Sequence, residues 1–353
     1  MSVYIFNYLL CGVWFFSRNH KISIIVIGIQ LFLLLALRSD TLGVDLEEYQ
    51  ILYNCFSENT LWEIIKGFRL FANTDVLFGR ESGYVLLNWI CGNLGLSFHT
   101  FLILQSAICV TSLCFFIKRY SKIPWLSFAL IIALGLYTYM FCILRQAFAV
   151  AILYFAFSYI KNRNFIKFLL CICAASLFHV VSIAFLPLYW IANITVTVKN
   201  ISILIGVSLS LPLVLRGSIA SFLASLGKTY EFSNEVVYNN LLILIMFLLG
   251  FVFYFYSDLL NQKNTDDSII YLSCLWAFPI QMLSLIMPIL GRASVGIFFP
   301  LLAILIPNLI YKNKDSNSQP FFSLLFYLMF FAYFMMIFSQ DSSRLIPYRS
   351  YYF

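Results

Sequence analysis

Long apolar runs limit the folds open to this chain more than any other feature of the sequence. Ten segments approach or reach the ~20 apolar residues that a transmembrane helix needs. Hydrophobic residues make up 62% of the 353 residues and charged residues only 10%, too few to cover the surface of a water-soluble fold. The sequence therefore predicts an all-α, polytopic integral membrane protein and excludes a cytosolic enzyme or a nucleic-acid-binding module. The ten predicted spans are 2–17, 21–37, 99–117, 124–142, 144–160, 200–215, 237–256, 268–290, 292–311 and 320–338.

Two further apolar regions are ambiguous, and charge decides how we interpret them. Residues 83–97 are interrupted by glycine and asparagine, and 165–192 is long for one span but short for two. Lysine and arginine collect in cytoplasmic loops, whereas the loop 38–82 carries eight acidic residues against four basic ones and belongs outside. These assignments agree if 83–97 is short or re-entrant and if 165–192 turns near His179. We therefore expect about 12 crossings, both termini outside, and a single membrane domain over 1–353.

The outer loop 38–82 has a helical pattern of its own. Apolar residues recur at helical spacing with charges between them, which predicts two short amphipathic helices lying in the outer membrane interface. The apolar positions are Leu46, Tyr49 and Tyr53, then Leu61, Ile64, Ile65 and Phe68.

Arginine and lysine sort to opposite sides of this topology. The cytoplasmic side holds nine lysines and three arginines, whereas the outer side holds eight arginines and two lysines. Extension of the side chain to the headgroups is the favoured interpretation for Arg69, Arg80 and Arg216, but it gives no reason to choose arginine over lysine. A guanidinium binds phosphate oxygens bidentately, which a lysine ammonium does not do. Arginines at the mouths of several helices therefore indicate a pyrophosphate site, with candidates Arg38, Arg145, Arg292, Arg344 and Arg349.

Two of these arginines lie in very short connections. Arg145 follows the span 124–142 almost directly, and Arg292 comes just after 268–290. A charge held so near the bilayer is costly unless it is paired. Two interpretations stay open: acidic residues neutralise the arginines as structural ion pairs, or the arginines bind an anion and the carboxylates do acid–base work. The acidic residues are Asp40, Asp45, Glu47, Glu48 and Glu81.

His179 lies at the predicted turn of 165–192, on the same side as the arginines. A single histidine in an apolar run is commonly a hydrogen-bonded core residue. Because imidazole can take up a proton near neutral pH, His179 could also accept one from a sugar hydroxyl.

Short motifs follow one another along most of the chain. They are Arg38–Asp45 with Tyr49 four residues on, Glu81–Tyr84 with Asn88, Leu144–Gln146 with Ala149, Phe178-His179 before Leu186-Pro187, Gly291-Arg292, and Ile346–Arg349. In order and spacing this set resembles the EpsG-type family of polysaccharide polymerases, which includes many O-antigen polymerases of the Wzy kind. The resemblance identifies a class of protein and not its sugar.

The resemblance implies an inverting, metal-independent glycosyltransferase of GT-C-like membrane architecture that needs no cofactor. Donor and acceptor would be undecaprenyl-pyrophosphate-linked glycans at the outer, periplasmic face of a bacterial inner membrane, with membrane lipids and a chain-length regulator as partners and no nucleic acid. His179 would be the base, with Asp45 or Asp40 next, and the candidate arginines would stabilise the leaving pyrophosphate. Gly43 would allow a tight turn that brings both aspartates to one site. Further substrate contacts are expected from Glu48, Tyr49, Glu81, Gln146 and Tyr348.

Other functions remain open at this point. A transporter or flippase of the same lipid-linked glycan would also need arginines, but it tends to place charges near the bilayer midplane and to contain internal repeats. A ligase-type glycosyltransferase is a further alternative, and only the motif resemblance favours a polymerase over it. A purely structural membrane subunit would not explain the sorting of arginine and lysine.

Overall fold

The computed structural model describes residues 1–17, 19–66, 81–208, 210, 214, 263–284, 299–312, 318–341 and 343–352. These residues form helices and connecting turns, with one isolated antiparallel bridge between Arg38 and Ser350. The predicted span 237–256 lies outside the described residues, as do parts of 200–215, 268–290 and 292–311. The all-helical class predicted from the sequence is confirmed for the described chain.

The first half of the chain supplies eight helices within the described ranges. Their bounds are α1 Ser2–Val13, which continues as a 3₁₀ turn over Trp14–Phe16, α2 His20–Ala36, α3 Leu46–Glu58, α4 Leu61–Lys66, α5 Ser82–Asn93, α6 Phe98–Tyr120, α7 Pro124–Ala133 and α8 Leu136–Cys142.

The rest of the described chain, from Leu144 onward, supplies the remaining helices. Their bounds are α9 Leu144–Lys161, α10 Phe165–Ser176, a 3₁₀ helix over Val180–Phe185, α11 Leu188–Ile191, α12 Val198–Ser208, α13 Asp266–Ser284, α14 Phe299–Lys312 and α15 Ser318–Phe338.

Two of these helices are long and apolar enough by themselves to cross a bilayer. They are α6 and α15; α7 and α8, which meet at a bend of 58°, form a third if they are one broken span. Gly135 lies at that bend with a φ of +83°, a left-handed conformation that glycine adopts without steric cost. Several other apolar helices are shorter, so the count of 12 crossings and the GT-C-like architecture stay predictions.

Helix direction separates the basic residues into two groups. Arg145 lies in the first turn of α9 and Lys161 in its last, so about 25 Å of helix separates them. Likewise α6 begins beside His99 and carries Lys118 in its last turn. We call the half of the molecule around Arg38, Arg145, Arg344 and Arg349 the arginine end, and that around Lys118, Lys122, Lys161 and Lys312 the lysine end.

Ion pairs link helices at the lysine end. Lys161 pairs with Asp266 at 2.7 Å, and Lys312 pairs with Asp267 at 2.6 Å. These contacts join the end of α9, the start of α13 and the end of α14. The separation of lysine from arginine that the sequence predicts is thus present among the described residues.

The region 165–192 is a helical hairpin, as predicted. The Phe165 ring lies 5.1 Å from that of Tyr189, and the Phe168 ring lies 6.2 Å from that of Phe185, so the chain after His179 returns along α10. The turn itself places His179 at the arginine end. Helix α5 spans 12 residues, about 18 Å, which is shorter than the ~30 Å hydrocarbon core.

The described part of the loop 38–82 contains two helices, α3 and α4, at the predicted positions, although Phe68 lies outside the described residues. Their place in the outer membrane interface stays a prediction. Their apolar faces are covered by protein. Leu46, Tyr49 and Tyr53 pack with Tyr84 of α5 and Phe101 of α6. Together α3, α4 and α5 form a small helical layer over the start of α6.

Candidate functional site

The C-terminal segment returns to the end of α2 and brings distant parts of the sequence together. Ser39 N–H donates to the carbonyl of Arg349 at 2.8 Å, and Tyr351 N–H donates to that of Leu37 at 2.9 Å. The hydroxyl of Tyr4 donates to the carbonyl of Leu345 at 3.0 Å. The start of α1 and the C-terminal segment therefore lie at the same end of the molecule, next to Arg38.

Glu81 is the common partner of two predicted site residues. One oxygen of its carboxylate accepts a hydrogen bond from Nη1 of Arg145, and the other lies 3.1 Å from Nδ1 of His179. These partners are 64 and 98 positions away along the chain. Glu81 and His179 are both buried. For this arginine and this carboxylate, the interpretation as an ion pair is the one that the structure supports.

Arg145 keeps part of its guanidinium available. Its Nε donates to the hydroxyl of Tyr49 at 3.3 Å, and its guanidinium lies 5.9 Å from the centre of that ring. Its third nitrogen, Nη2, has no hydrogen-bond partner among the described residues, and the side chain is 18% exposed. Two nitrogens thus fix the orientation of the group, while the third is not engaged by the described residues.

His179 lies at the break between α10 and the 3₁₀ helix, in an extended conformation. Because its Nδ1 meets Glu81, the carboxylate orients the ring, and Nε2 is buried without a hydrogen-bond partner in the described part of the chain. A substrate hydroxyl reaches Nε2 only if covering side chains move. A histidine oriented in this way by a carboxylate is suited to accept a proton.

A glycine allows α5 to approach this break. Gly83 N–H donates to the carbonyl of Leu177 at 2.8 Å, and a Cβ at Gly83 would lie 2.8 Å from Cβ of Leu177. This close contact places Glu81, two residues earlier, against His179. The sequence motif included Gly83 but gave no indication of this partner.

Opposite charges keep the Glu81 carboxylate ionised. Burial would raise its pKa, but the hydrogen bond with His179 and the charge of Arg145 outweigh burial and lower it to about 2. Burial raises the pKa of the Tyr49 hydroxyl, which Arg145 opposes only in part. At neutral pH the cluster therefore holds an ionised Glu81 and a neutral Tyr49.

Arg38 lies inside the protein. Its side chain is fully buried, donates to the carbonyl of Met140 at 3.3 Å and to Oε1 of Gln105 at 3.4 Å, and lies over the ring of Phe141. Burial lowers its pKa to about 10, so the guanidinium stays charged at neutral pH. In this conformation Arg38 joins α2 to α6 and α8. A contact between Arg38 and pyrophosphate stays a prediction.

Asp40 is engaged by a histidine that the sequence interpretation missed. Nδ1 of His99 lies 2.8 Å from Oδ1 of Asp40, and the His99 ring stacks on that of Tyr351 at 3.6 Å between centroids. The only sequence signal was the position of His99 at the outer end of an apolar span. Its partners come from the loop after α2 and from the C-terminus, which no local pattern connects to it.

The turn at Gly43 is confirmed. Its φ is +128°, and a Cβ there would lie 3.1 Å from Sγ of Cys142. Asp45 immediately precedes α3 and is half-buried, close enough to Tyr49 to raise the pKa of that hydroxyl. Asp40 and Asp45 therefore both lie at the arginine end, with Asp40 turned to His99.

The other predicted residues differ in exposure and in contacts. Glu48 is exposed on α3, whereas Gln146 is buried beside Arg145. The hydroxyl of Tyr348 donates to the carbonyl of Leu34 at 3.0 Å, a contact within the fold. Arg344 and Arg349 have exposed side chains at the arginine end. Arg292 lies outside the described residues.

A family model described as the EpsG family matches residues 21–350 of this chain. Neither a curated protein nor a solved structure matches it. The matched range includes Glu81, Arg145 and His179, together with the loop around Asp40. From this match over nearly the whole chain, we conclude that the protein belongs to the EpsG family.

Proposed function

We propose that the protein is a membrane glycosyltransferase that polymerises undecaprenyl-pyrophosphate-linked oligosaccharide repeat units into a surface polysaccharide, such as O-antigen. Membership of the EpsG family indicates a membrane protein of the polysaccharide-polymerase type. The donor glycan would be transferred from its pyrophosphate to a hydroxyl of a second lipid-linked repeat unit. The reaction would take place at the arginine end, which we assign to the outer face of the bacterial inner membrane.

The contact of Glu81 with both Arg145 and His179 carries this proposal. It places a partly exposed guanidinium and an oriented imidazole on one carboxylate, at the end of the molecule opposite the paired lysines. Attack on a glycosyl pyrophosphate is assisted by a cation beside the leaving group and, although polyprenyl pyrophosphate already leaves well, by a proton acceptor beside the nucleophile. The cluster supplies one of each.

In the proposed step the acceptor hydroxyl oxygen attacks the anomeric carbon from the side opposite the pyrophosphate, so the anomeric configuration inverts. The C–O bond to the pyrophosphate breaks, and its electron pair leaves with undecaprenyl pyrophosphate. Nε2 of His179 takes the hydroxyl proton, and the ionised Glu81 stabilises the imidazolium through Nδ1. Nη2 of Arg145 donates to the pyrophosphate oxygens as their charge grows.

The remaining predicted residues would act around this centre. Arg344 and Arg349 have exposed guanidinium groups at the same end and are proposed to extend the pyrophosphate contact, together with Arg292. Arg38 is proposed to position the α8–α9 connection that carries Arg145. Asp45 is the alternative base, because it is half-buried near Tyr49.

The test is polymerisation by the purified protein in proteoliposomes. The substrate would be the lipid-linked repeat unit extracted from cells that lack this polymerase, with no nucleotide sugar added. We expect a ladder of lengthening glycans and one released undecaprenyl pyrophosphate for each bond formed. We expect His179→Ala to slow the ladder by about 10²–10⁴, the usual contribution of a positioned acid or base.

Three results would contradict parts of the proposal. Movement of the lipid-linked unit across the vesicle bilayer without new glycosidic bonds would indicate a transporter. Transfer of the glycan to lipid A core, but not to a second repeat unit, would indicate a ligase. Normal turnover of His179→Ala would remove the base role from that residue and direct attention to Asp45→Asn.

A further inference from the structure

A second group of side chains lies at the arginine end, apart from the Glu81 cluster. Tyr351 and Tyr352 project from the C-terminal segment with 49% and 61% of their surface exposed. Their rings are 5.2 Å apart and nearly perpendicular, at 86°. His99 covers one face of Tyr351 at an interplanar angle of 11°. The two tyrosines therefore present two aromatic surfaces at right angles, one of them backed by a buried histidine.

A carboxylate lies directly beside this aromatic pair. Asp40 uses Oδ1 for His99, and its side chain is 16% exposed. Within the described part of the chain, Oδ2 of Asp40 has no hydrogen-bond partner, and Nε2 of the buried His99 has none either. A strong acceptor is thus available next to exposed rings, whereas Nε2 of His99 is enclosed by protein.

The backbone fixes this arrangement. Tyr351 N–H donates to the carbonyl of Leu37, and Arg38 and Ser350 form an antiparallel bridge. These contacts tie the tyrosines to the segment that carries Asp40. The aromatic pair is consequently part of the folded site and not a free tail, so binding to it would carry little ordering cost.

We propose that Asp40, His99, Tyr351 and Tyr352 form a sugar-binding subsite for a pyranose ring of the lipid-linked glycan, separate from the groups that hold its pyrophosphate. A pyranose has an apolar face of C–H groups and a rim of hydroxyls. The tyrosine rings match the apolar face, and the carboxylate of Asp40 matches the rim as a charged acceptor. This inference rests on the proposed function, since it assumes that the glycan is the substrate.

Chemistry favours a sugar over a lipid surface as the occupant of this pair. Tyrosines also anchor proteins in membrane interfaces through their rings and hydroxyls. An interfacial anchor needs no carboxylate beside it. The subsite thus combines two features that a sugar uses together and a membrane surface does not.

The test compares two lipids that differ only in the sugar. The full-length protein in detergent is titrated with undecaprenyl pyrophosphate and, separately, with the lipid-linked repeat unit extracted from cells that lack this polymerase. We expect the wild type to bind the glycan-bearing lipid more tightly. We expect Tyr351→Ala combined with Tyr352→Ala to weaken that binding by about tenfold and to leave undecaprenyl pyrophosphate binding unchanged.

Matched variants separate the explanations. Tyr352→Ala removes only the more exposed ring and should weaken glycan binding without disturbing the stack of Tyr351 on His99. Tyr351→Phe keeps the ring and should stay within about twofold of the wild type. Tyr311→Ala removes a tyrosine of similar exposure, 51%, at the lysine end and should change neither affinity.

Each contrary result has its own meaning. Equal weakening for both lipids would show an interfacial anchor and overturn the subsite. Unchanged glycan binding in both alanine variants would overturn the subsite while leaving the polymerase proposal intact. Failure of the wild type to bind either lipid would overturn the proposed function and the subsite with it.

Discussion

Glu81 is the residue on which the site depends most. It neutralises Arg145 and orients His179 from a buried position, so its removal would leave two partners unsatisfied at once. Breaking a buried pair by removing one member usually costs more than the pair contributed, because the remaining charge stays buried. We therefore regard Glu81 as the residue that sets the geometry of the other two.

The depressed pKa of Glu81 predicts how stability depends on pH. Its pKa is about 2 in the folded protein against an ordinary value of 4.5. The stabilisation it provides is therefore complete above pH 4.5 and is lost as the pH falls through about 2. We expect Glu81→Gln to be less stable than the wild type at pH 7, by an amount on the order of 3 kcal/mol. That difference should shrink steadily below pH 4.5.

Thermal unfolding in a non-ionic detergent, recorded from pH 7 to pH 3, measures this difference. Glu58→Gln is the matched control, since Glu58 is exposed on α3 and should give the same curve as the wild type at every pH. A stability difference between Glu81→Gln and the wild type that does not change with pH would contradict the assignment.

The sequence could indicate which residues matter here but not how they pair. Arg145, Glu81 and His179 were each selected from their motifs and positions in the sequence. That Glu81 would lie between the other two could not be predicted, because its partners are 64 and 98 residues away and no local pattern encodes a long-range contact. For the same reason His99 was missed.

At the level of helices, the site is built from breaks and ends. Arg145 follows the break between α8 and α9, His179 lies at the break after α10, and Glu81 precedes the first residue of α5. At helix ends some backbone N–H and C=O groups have no partner within the helix. Polar and charged side chains can interact with these groups, so they are accommodated there more readily than in the middle of a helix. The mutual position of the helix ends therefore decides the geometry of the site.

Gly83 offers a direct test of that dependence. In Gly83→Ala the new Cβ would lie 2.8 Å from Cβ of Leu177 and 2.9 Å from its carbonyl oxygen, so α5 must move away from the break at His179. We expect a loss of about 1–3 kcal/mol in stability, as for other overpacked sites. We expect polymerisation to fall by tenfold or more, because small displacements of catalytic groups are costly. Thermal unfolding and the ladder assay measure the two effects.

Gly206→Ala is the control for this change. Gly206 lies in α12 with no atom within 4 Å of a Cβ, so alanine should be neutral or slightly stabilising there. If Gly83→Ala behaves like Gly206→Ala in both assays, close approach of α5 to Leu177 is not needed for the site.

Hydrophobic periodicity and charge predicted where helices and turns occur better than they predicted what each helix packs against. The spacing of Leu46, Tyr49 and Tyr53 correctly gave α3, and the distribution of charge correctly gave the turn at His179. The interpretation of α3 as an interfacial helix did not foresee that its apolar face packs on α5 and α6. Hydrophobic spacing alone does not distinguish a face that meets lipid from one that meets protein.

For the whole molecule, the main feature is the separation of an arginine end from a lysine end. Lysines at one end form ion pairs with Asp266 and Asp267, whereas at the other end Arg145, Arg344 and Arg349 keep exposed surface. This separation follows from helix direction within the protein, and which end faces the cytoplasm stays a prediction of the positive-inside rule. The number of crossings could not be fixed in the same way, because several described helices are shorter than a bilayer needs.

In the proposed mechanism Arg145, at the arginine end, is essential for glycan transfer, whereas Arg163, two residues after Lys161 at the lysine end, is not. Arg145 and Arg163 form a matched pair, since each guanidinium lies over a tyrosine ring, at 5.9 Å from Tyr49 and 5.0 Å from Tyr189. Arg145→Lys keeps the charge but loses the planar guanidinium that binds phosphate oxygens through two nitrogens. Compared with Arg145→Ala, it should recover folding but not full activity.

The decisive measurement is ladder formation by Arg145→Ala, Arg145→Lys and Arg163→Ala in proteoliposomes, at equal amounts of correctly inserted protein. We expect no ladder for Arg145→Ala, a strongly slowed ladder for Arg145→Lys, and a ladder like that of the wild type for Arg163→Ala. A wild-type ladder from Arg145→Ala would show that this arginine does not serve the transfer.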